Sequence, residues 1–227
     1  MKVQQKRSYL CVPLALAYCT FSLPTMASVL FSDLGAPGDV YNSSSGWNVE
    51  GSGTVGGTSF DSASLFTAAG VGALSVTEID LAVSLDSGPG TFDASIWTDS
   101  SGTPGTQLDE WSLSTANLFG SCCDLVSVTG ITGLTLTGTD KYFLILEPVS
   151  STDDSDNVWN KNNKGTTGVT LSSSNGGATW TNLGAGSTLA AFDVLSDPPV
   201  PEPGTWFLFA AGAGGLMMRA RYTRRSR

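Results

Sequence analysis

The sequence predicts an all-β protein, a single antiparallel β-sandwich of jelly-roll type flanked by an N-terminal signal peptide and a short C-terminal transmembrane helix. Three observations predict the β body. Short runs of alternating apolar and polar residues recur at intervals of roughly 10–20 residues. Clusters of Gly, Ser, Pro and Asn, which are typical of turns, separate these runs. No long stretch of the body has the periodicity of an amphipathic helix.

The runs predict the strands one by one. Residues 75–85 alternate, so every second side chain from Ile79 to Leu85 shares one face. Residues 141–147 are continuously apolar, which is typical of a central strand covered on both faces. The other predicted strands are residues 91–97, 107–113, 133–138, 178–183 and 189–195. The predicted turns between them include residues 86–90, 100–105 and 173–177.

The charge of the body excludes several classes of function. Residues 28–200 contain 19 acidic residues and three lysines, a net charge of −16. Such a surface is repelled by phosphate backbones, so we expect no nucleic-acid partner. The chain contains no His, which excludes Ser-His-Asp and Cys-His catalysis and removes the commonest zinc ligand. Chemistry by carboxylates alone stays open, and no cofactor is expected.

Residues 1–27 have the three parts of a secretory signal peptide. Residues 2–7 include three basic residues, residues 10–23 are mostly apolar, and Thr25-Met26-Ala27 is a small-x-small cleavage site. We therefore expect signal peptidase and the export machinery as partners. The alternative is a buried N-terminal helix.

The C-terminal segment predicts a membrane stop. The apolar run Trp206–Met218 has 13 residues. A helix of that length spans roughly 20 Å, which is shorter than the ~30 Å hydrocarbon core. Its flanks strengthen the prediction, because Pro201 and Pro203 mark a helix start and Trp206 suits the headgroup level. The run has no polar face, which argues against a soluble amphipathic helix. Five arginines after the run predict a cytoplasmic tail: Arg219, Arg221, Arg224, Arg225 and Arg227.

These C-terminal features together resemble a known sorting signal. Val200, Pro201, Glu202 and Pro203, then a Gly- and Ala-containing apolar run and an Arg cluster, resemble the PEP-CTERM signal of Gram-negative bacteria. The resemblance implies recognition by exosortase, a membrane-embedded cysteine transpeptidase, and processing near the Pro-Glu-Pro residues. It also implies an inner-membrane intermediate, followed by delivery to the cell surface or its extracellular matrix. Residues 196–203 would be a Pro-rich linker and residues 204–227 the helix and tail.

The body carries a second resemblance. Residues 90–108 (GTFDASIWTDSSGTPGTQL), residues 133–148 (GLTLTGTDKYFLILEP) and the late GATWTNL are similar to choice-of-anchor domains, in particular the R type. These are bacterial surface domains attached to alternative C-terminal anchors. The resemblance implies an extracellular β domain over residues 28–195 with no assigned activity, so it supplies no site.

Three groups of residues in the body are candidates for binding. Cys122 and Cys123 are adjacent, so a vicinal disulfide or an intermolecular bond is open to them, and no Cys-x-x-Cys motif supports a redox enzyme. We expect no metal site and a solvated acidic loop; the alternative is Ca²⁺ binding by its oxygen ligands, although the loop lacks the Gly and Glu of an EF-hand: Asp153, Asp154 and Asp156. A loop rich in Trp and Asn is a candidate sugar contact: Trp159, Asn160 and Asn162.

Five tryptophans of the body bear on the same question, since Trp stacks on sugar rings but is more often part of a core: Trp47, Trp97, Trp111, Trp159 and Trp180. Asp109 and Glu110 are paired carboxylates, yet neighbours on a strand point to opposite faces. We expect no enzyme. The predicted function is an exported structural or adhesive surface protein; the alternatives are a carbohydrate-binding module for extracellular polysaccharide and, third, a carboxylate-dependent hydrolase.

Overall fold

The computed structural model describes residues 28–196, and these residues form β-strands without a helix. All the strand pairs between named strands are antiparallel. The strands are β1 (Ser28–Ser32), β2 (Asn42–Glu50), β3 (Asp61–Thr67), β4 (Ala73–Leu81), β5 (Val83–Ser87), β6 (Thr91–Asp99), β7 (Pro104–Ser114), β8 (Val126–Thr129), β9 (Thr135–Thr137), β10 (Lys141–Glu147), β11 (Asp156–Lys161), β12 (Thr167–Gly168), β13 (Thr170–Ser173), β14 (Thr181–Asn182), β15 (Ser187–Thr188) and β16 (Phe192–Ser196).

The widest sheet has six strands in the order β14-β13-β3-β10-β6-β7. β10 lies between β3 and β6, and its residues 142–146 are all buried. Tyr142, Leu144 and Leu146 belong to the main core, whereas Phe143 and Ile145 belong to a second apolar cluster on the opposite face. The prediction of a central strand covered on both faces is therefore confirmed.

Three smaller sheets complete the structure. One has the order β1-β16-β4-β8, with β9 also paired to β4; the others are β2-β11-β5 and β12-β15. The main core contains side chains from the six-stranded sheet, such as Phe92 and Leu144, together with Ile79 of β4 and Trp159 of β11. Burial of one shared core thus holds the three larger sheets together.

The run at residues 75–85 is not one strand, contrary to the prediction. β4 ends at Leu81 and pairs with β8, β9 and β16, whereas β5 begins at Val83 and pairs with β11. The backbone N–H of Ala82 donates to the Ala191 carbonyl (3.1 Å), and the Ala82 carbonyl accepts from the N–H of Asn160 (2.8 Å). Alternation continues through this junction because Ile79, Leu81 and Val83 all enter the same core, so the periodicity conceals the change of sheet.

The predicted turn at residues 86–90 is confirmed, since β5 ends at Ser87 and β6 begins at Thr91. Gly90 has a φ of +74°, and a Cβ at this position would collide with the Thr115 carbonyl oxygen. The backbone N–H of Thr115 donates to the Gly90 carbonyl (2.9 Å). Glycine is required here both by the left-handed backbone and by the close approach of residue 115.

The predicted signal peptide (residues 1–27), most of the linker and the predicted helix and tail (residues 204–227) lie outside the described residues. Within residues 28–196, no helix is long and apolar enough to cross a membrane.

Candidate functional site

The outer face of the six-stranded sheet, opposite the main core, carries its own apolar cluster. Its buried members are Ala63, Phe143, Ile145 and Leu171, one each from β3 and β13 and two from β10. Leu65, Trp97, Val169 and Trp180 are partly buried against them. An exposed sheet face is normally polar, so this cluster marks a face that the chain partly covers.

A 460 Å³ pocket lies at one end of this outer face. β6 contributes Trp97, β10 contributes Ile145 and Glu147, and the loop before β14 contributes residues 176–180. The turn between β6 and β7 adds Thr103 to the lining, and the first residue of β7, Pro104, completes it. Two half-buried tryptophans and one carboxylate therefore meet in a single cavity.

The loop that closes the pocket is tied to a buried carboxylate. The backbone N–H of Gly177 donates to Asp61 Oδ2 (2.8 Å) and to Ser173 Oγ (2.9 Å). Asp61 is 1% exposed. Burial raises the pKa of Asp61, while the bonds from Ser173 and Gly177 act in the opposite direction. Farther along the loop, Asn175 Oδ1 accepts from the Thr179 N–H (3.0 Å). These bonds give the loop a defined position over the sheet.

Glu147 is the ionisable group of the pocket. Burial raises its pKa to about 7, and the negative charges of Asp61, Glu110 and Asp93 add to the effect. Asp93 lies directly opposite Glu147 in the pairing of β6 with β10. Near neutral pH the Glu147 carboxyl is therefore protonated in a large share of molecules, in which it both donates and accepts hydrogen bonds.

Both indole rings are held in place by nearby groups. Trp97 Nε1 donates to Ser95 Oγ (2.8 Å), and Trp97 lies opposite Phe143 in the sheet. A Cβ on Gly177 would lie 3.6 Å from Cζ2 of Trp180, so this ring lies close to the backbone of Gly177 in its own loop. The rings come from elements far apart in sequence, which is why the sequence did not indicate that they form one site.

The predicted sugar contact at Trp159, Asn160 and Asn162 is wrong. These side chains are 0%, 0% and 4% exposed. Trp159 and Asn160 lie in the strand β11, between β2 and β5, and Asn162 directly follows that strand. Trp159 is part of the main core, and the two asparagine side chains donate to backbone carbonyls, such as that of Leu189 from Asn162 Nδ2 (2.8 Å). None of the three reaches solvent, so a ligand on the surface cannot touch them.

The acidic loop does not form a cation site. In the described part of the chain, no three acidic or cysteine side chains lie close enough to hold a metal ion. Asp153 accepts from the backbone N–H of Ser155 (3.0 Å) and from the Thr91 hydroxyl (3.3 Å), and Asp154 is exposed. Burial, together with the charges of Glu50 and Asp86, raises the pKa of Asp156 to about 6. The alternative of Ca²⁺ ligation by these three residues is therefore not supported by the described structure.

The remaining candidate groups lie apart from the pocket lining. Asp109 and Glu110 pair with Ile96 and Ser95 respectively, so they point to opposite faces of β7 as expected. Cys122 and Cys123 are joined by a vicinal disulfide in the connection between β7 and β8. Trp47 lies beneath the Lys161 ammonium (4.0 Å from Nζ to the ring centroid), and Trp111 packs against the main core.

Comparison with known proteins identifies a motif in the C-terminal segment. Residues 199–225 match the PEP-CTERM protein-sorting motif. The chain carries this signal. The PEP-CTERM match begins one residue before Val200 and includes Pro201, Glu202, Pro203 and four of the five predicted tail arginines. The motif implies export, processing by exosortase and association with the cell surface.

The PEP-CTERM match covers the C-terminal segment and leaves the β body aside. A search of curated proteins finds no match to this chain. The resemblance of the body to choice-of-anchor domains therefore stays a prediction.

Proposed function

We propose that the chain is a structural or adhesive surface protein of a Gram-negative bacterium, placed by its PEP-CTERM signal in the extracellular matrix. One observation carries the proposal: a sorting motif at residues 199–225 directly follows an antiparallel β body whose last strand ends at Ser196. The body is acidic, which keeps an exported domain soluble and apart from nucleic acid.

In the proposed route, signal peptidase removes residues 1–27 while the body is exported. The apolar run then halts in the inner membrane, and the arginines remain on the cytoplasmic side. Prolines at residues 201 and 203 hold the adjoining backbone extended, so that exosortase reaches it. Cleavage near Glu202 separates the body from its helix, and the body passes to the surface.

We further propose that the three larger sheets are layers of one jelly-roll-like sandwich related to the choice-of-anchor domains. The shared core supports this, because it joins side chains of the six-stranded sheet to those of the smaller sheets. We propose no enzymatic activity. Glycoside hydrolysis normally needs two carboxyl groups flanking the bond, and Glu147 is the one carboxylate among the described residues that line the pocket.

The Glu202→Ala substitution tests the sorting route. We expect it to leave the helix and arginine tail on the protein, because the altered side chain belongs to the recognition element. Mass spectrometry of protein recovered from cells and medium measures both ends. Wild-type protein should lack about 27 N-terminal residues, the length typical of a signal peptide, together with the tail.

Asp197→Ala is the matched control, since it removes a carboxylate from the same linker but lies outside the matched motif. It should be processed like the wild type. An intact C-terminus in the wild type, or equal processing of Glu202→Ala, contradicts the proposed route.

A second candidate function is binding of extracellular polysaccharide. The observation that favours it is the pocket on the outer face, where Trp97 and Trp180 meet. An adhesive domain that holds matrix polysaccharide needs such a concave site, with aromatic walls and a few polar groups.

A further inference from the structure

We infer that the pocket formed by Trp97, Trp180 and Glu147 binds one neutral pyranose residue of a polysaccharide. The inference rests on the second candidate function and assigns it a site and a ligand chemistry. The site differs from the one that the sequence indicated at Trp159, Asn160 and Asn162, whose side chains are buried.

The aromatic walls are the first argument. Trp97 and Trp180 are both half-buried, so part of each ring faces the 460 Å³ cavity while the rest packs on the outer-face cluster. A pyranose ring has apolar C–H faces that pack on indole rings. The volume lies within the range of about 300–1,000 Å³ typical of small-ligand pockets.

The polar groups of the lining are the second argument. Thr103 and Thr179 offer hydroxyls, and Glu147 offers a carboxyl group. Every sugar hydroxyl both donates and accepts, so it is best matched by groups that do the same. Because the pKa of Glu147 is raised to about 7, its protonated form does so as well.

Charge decides which class of sugar the pocket accepts. Among residues 28–196, no Lys or Arg lines it, and Asp61, Asp93 and Glu110 contribute negative potential at Glu147. A uronate, sulfate or phosphate would enter this site without a counter-charge, at a large desolvation cost. A cationic amino sugar would find one carboxylate there, which burial already drives toward its neutral form. The neutral pyranose fits best.

The pocket is also formed before any ligand binds. Asp61 and Ser173 hold Gly177, and Asn175 holds Thr179, so the loop that carries Trp180 is already ordered over the sheet. Binding then pays less conformational entropy than closure of a free loop would require.

Affinity electrophoresis of the full chain tests the inference. The gels contain hydroxyethylcellulose, dextran or galactomannan as neutral probes, alginate as an anionic probe and chitosan as a cationic probe. We expect retardation by at least one neutral polysaccharide and none by alginate. The Trp180→Ala variant should bind that polysaccharide at least about tenfold more weakly, the loss expected when a stacking contact worth about 1.4 kcal/mol is removed.

Phe119→Ala is the control for Trp180→Ala, because Phe119 is an aromatic residue, 36% exposed, outside the pocket lining. It should bind like the wild type. Thermal unfolding of both variants shows whether Trp180→Ala is folded. If Trp180→Ala is unfolded, Glu147→Gln is used in its place. Gln both donates and accepts hydrogen bonds at every pH, whereas the wild-type carboxyl does so only when protonated. The variant should therefore bind the neutral probe as well as wild type at pH 5 and more tightly at pH 8.

The possible results of this experiment distinguish an error in the proposed pocket from an error in the proposed polysaccharide binding. Retardation that Trp180→Ala leaves unchanged, or that Glu147→Gln leaves unchanged at pH 8, overturns the site but keeps polysaccharide binding. No retardation of the wild type by any neutral probe overturns both. Stronger retention on chitosan than on every neutral probe overturns the neutral ligand only where Trp180→Ala abolishes it, because the acidic body attracts a polycation whatever the pocket binds. The processing experiment on Glu202→Ala is independent of all three results.

Discussion

Phe192→Ala is expected to lower the free energy of unfolding by about 3–5 kcal/mol, the usual cost of truncating a fully buried aromatic side chain. Phe192 is 0% exposed and lies in β16. Its ring centroid is 4.6 Å from that of Phe31 in a stacked arrangement, 5.6 Å from Trp159 and 5.7 Å from Phe66. These rings come from β16, β1, β11 and β3, so the cavity would open where three sheets meet.

Urea unfolding followed by tryptophan fluorescence measures this loss. The Phe119→Ala control removes the same atoms from a side chain that is 36% exposed and should cost under about 1 kcal/mol. If Phe192→Ala does not fold, Phe192→Leu keeps most of the apolar volume and should lower stability by a smaller, measurable amount. Equal stabilities of Phe192→Ala and Phe119→Ala would show that the shared core does not hold the sheets together.

Asp33→Asn is expected to flatten the pH dependence of stability. Asp33 is fully buried; its Oδ1 accepts from the Phe192 N–H (2.8 Å), and its Oδ2 has no hydrogen-bond partner. Burial raises its pKa from 3.8 to about 7; nearby Asp193 raises it further, whereas the Phe192 bond and Lys164 lower it. The folded state therefore binds this proton more tightly than the unfolded state, and the stability it contributes is lost as the pH rises toward 7.

Between pH 5 and pH 8, this one group should cost the wild type about 2–3 kcal/mol of unfolding free energy. Asn cannot ionise, so the variant should lack that part of the decline. Burial also raises the pKa values of Asp61, Glu147, Asp156 and Asp193. The stability of the variant should therefore still fall between pH 5 and pH 8, but by less than that of the wild type. Urea unfolding at both pH values provides the comparison. The same decline in both proteins would mean that Asp33 ionises in the folded state as easily as in the unfolded state.

Local patterns predicted most of the strands but not their assignment to sheets. Residues 141–147 could be placed at the centre of a sheet because a continuous apolar run is stable only when both faces are covered. The prediction of one strand over residues 75–85 was wrong, because alternation indicates which side chains are buried but not which strand pairs with them. Two backbone hydrogen bonds decide where the chain leaves one sheet for another: the Ala82 N–H donates to the Ala191 carbonyl, and the Asn160 N–H donates to the Ala82 carbonyl.

The candidate site shows the same division. Abundant Trp suggested a sugar-binding surface, but composition does not distinguish a core Trp159 from a half-buried Trp97. The sequence did not identify Glu147 as a site residue, because it is simply the last residue of an apolar strand. Its raised pKa depends on Asp61, Asp93 and Glu110, which β3, β6 and β7 bring to the same sheet. Trp97, Glu147 and Trp180 all lie in the segments that resemble choice-of-anchor domains. No local sequence pattern links the three residues, so that resemblance does not place them in one site.

The sequence by itself determined the all-β class, the absence of histidine chemistry and the sorting signal at residues 199–225. Each of these depends on residue type and order along the chain, which alternation, composition and a contiguous motif express directly. Only the tertiary structure decided that Trp159, Asn160 and Asn162 are buried, that the acidic loop gathers no cation ligands and that a pocket forms on the outer face. These outcomes depend on contacts between residues far apart in sequence, and burial and electrostatic coupling arise only once such residues are brought together.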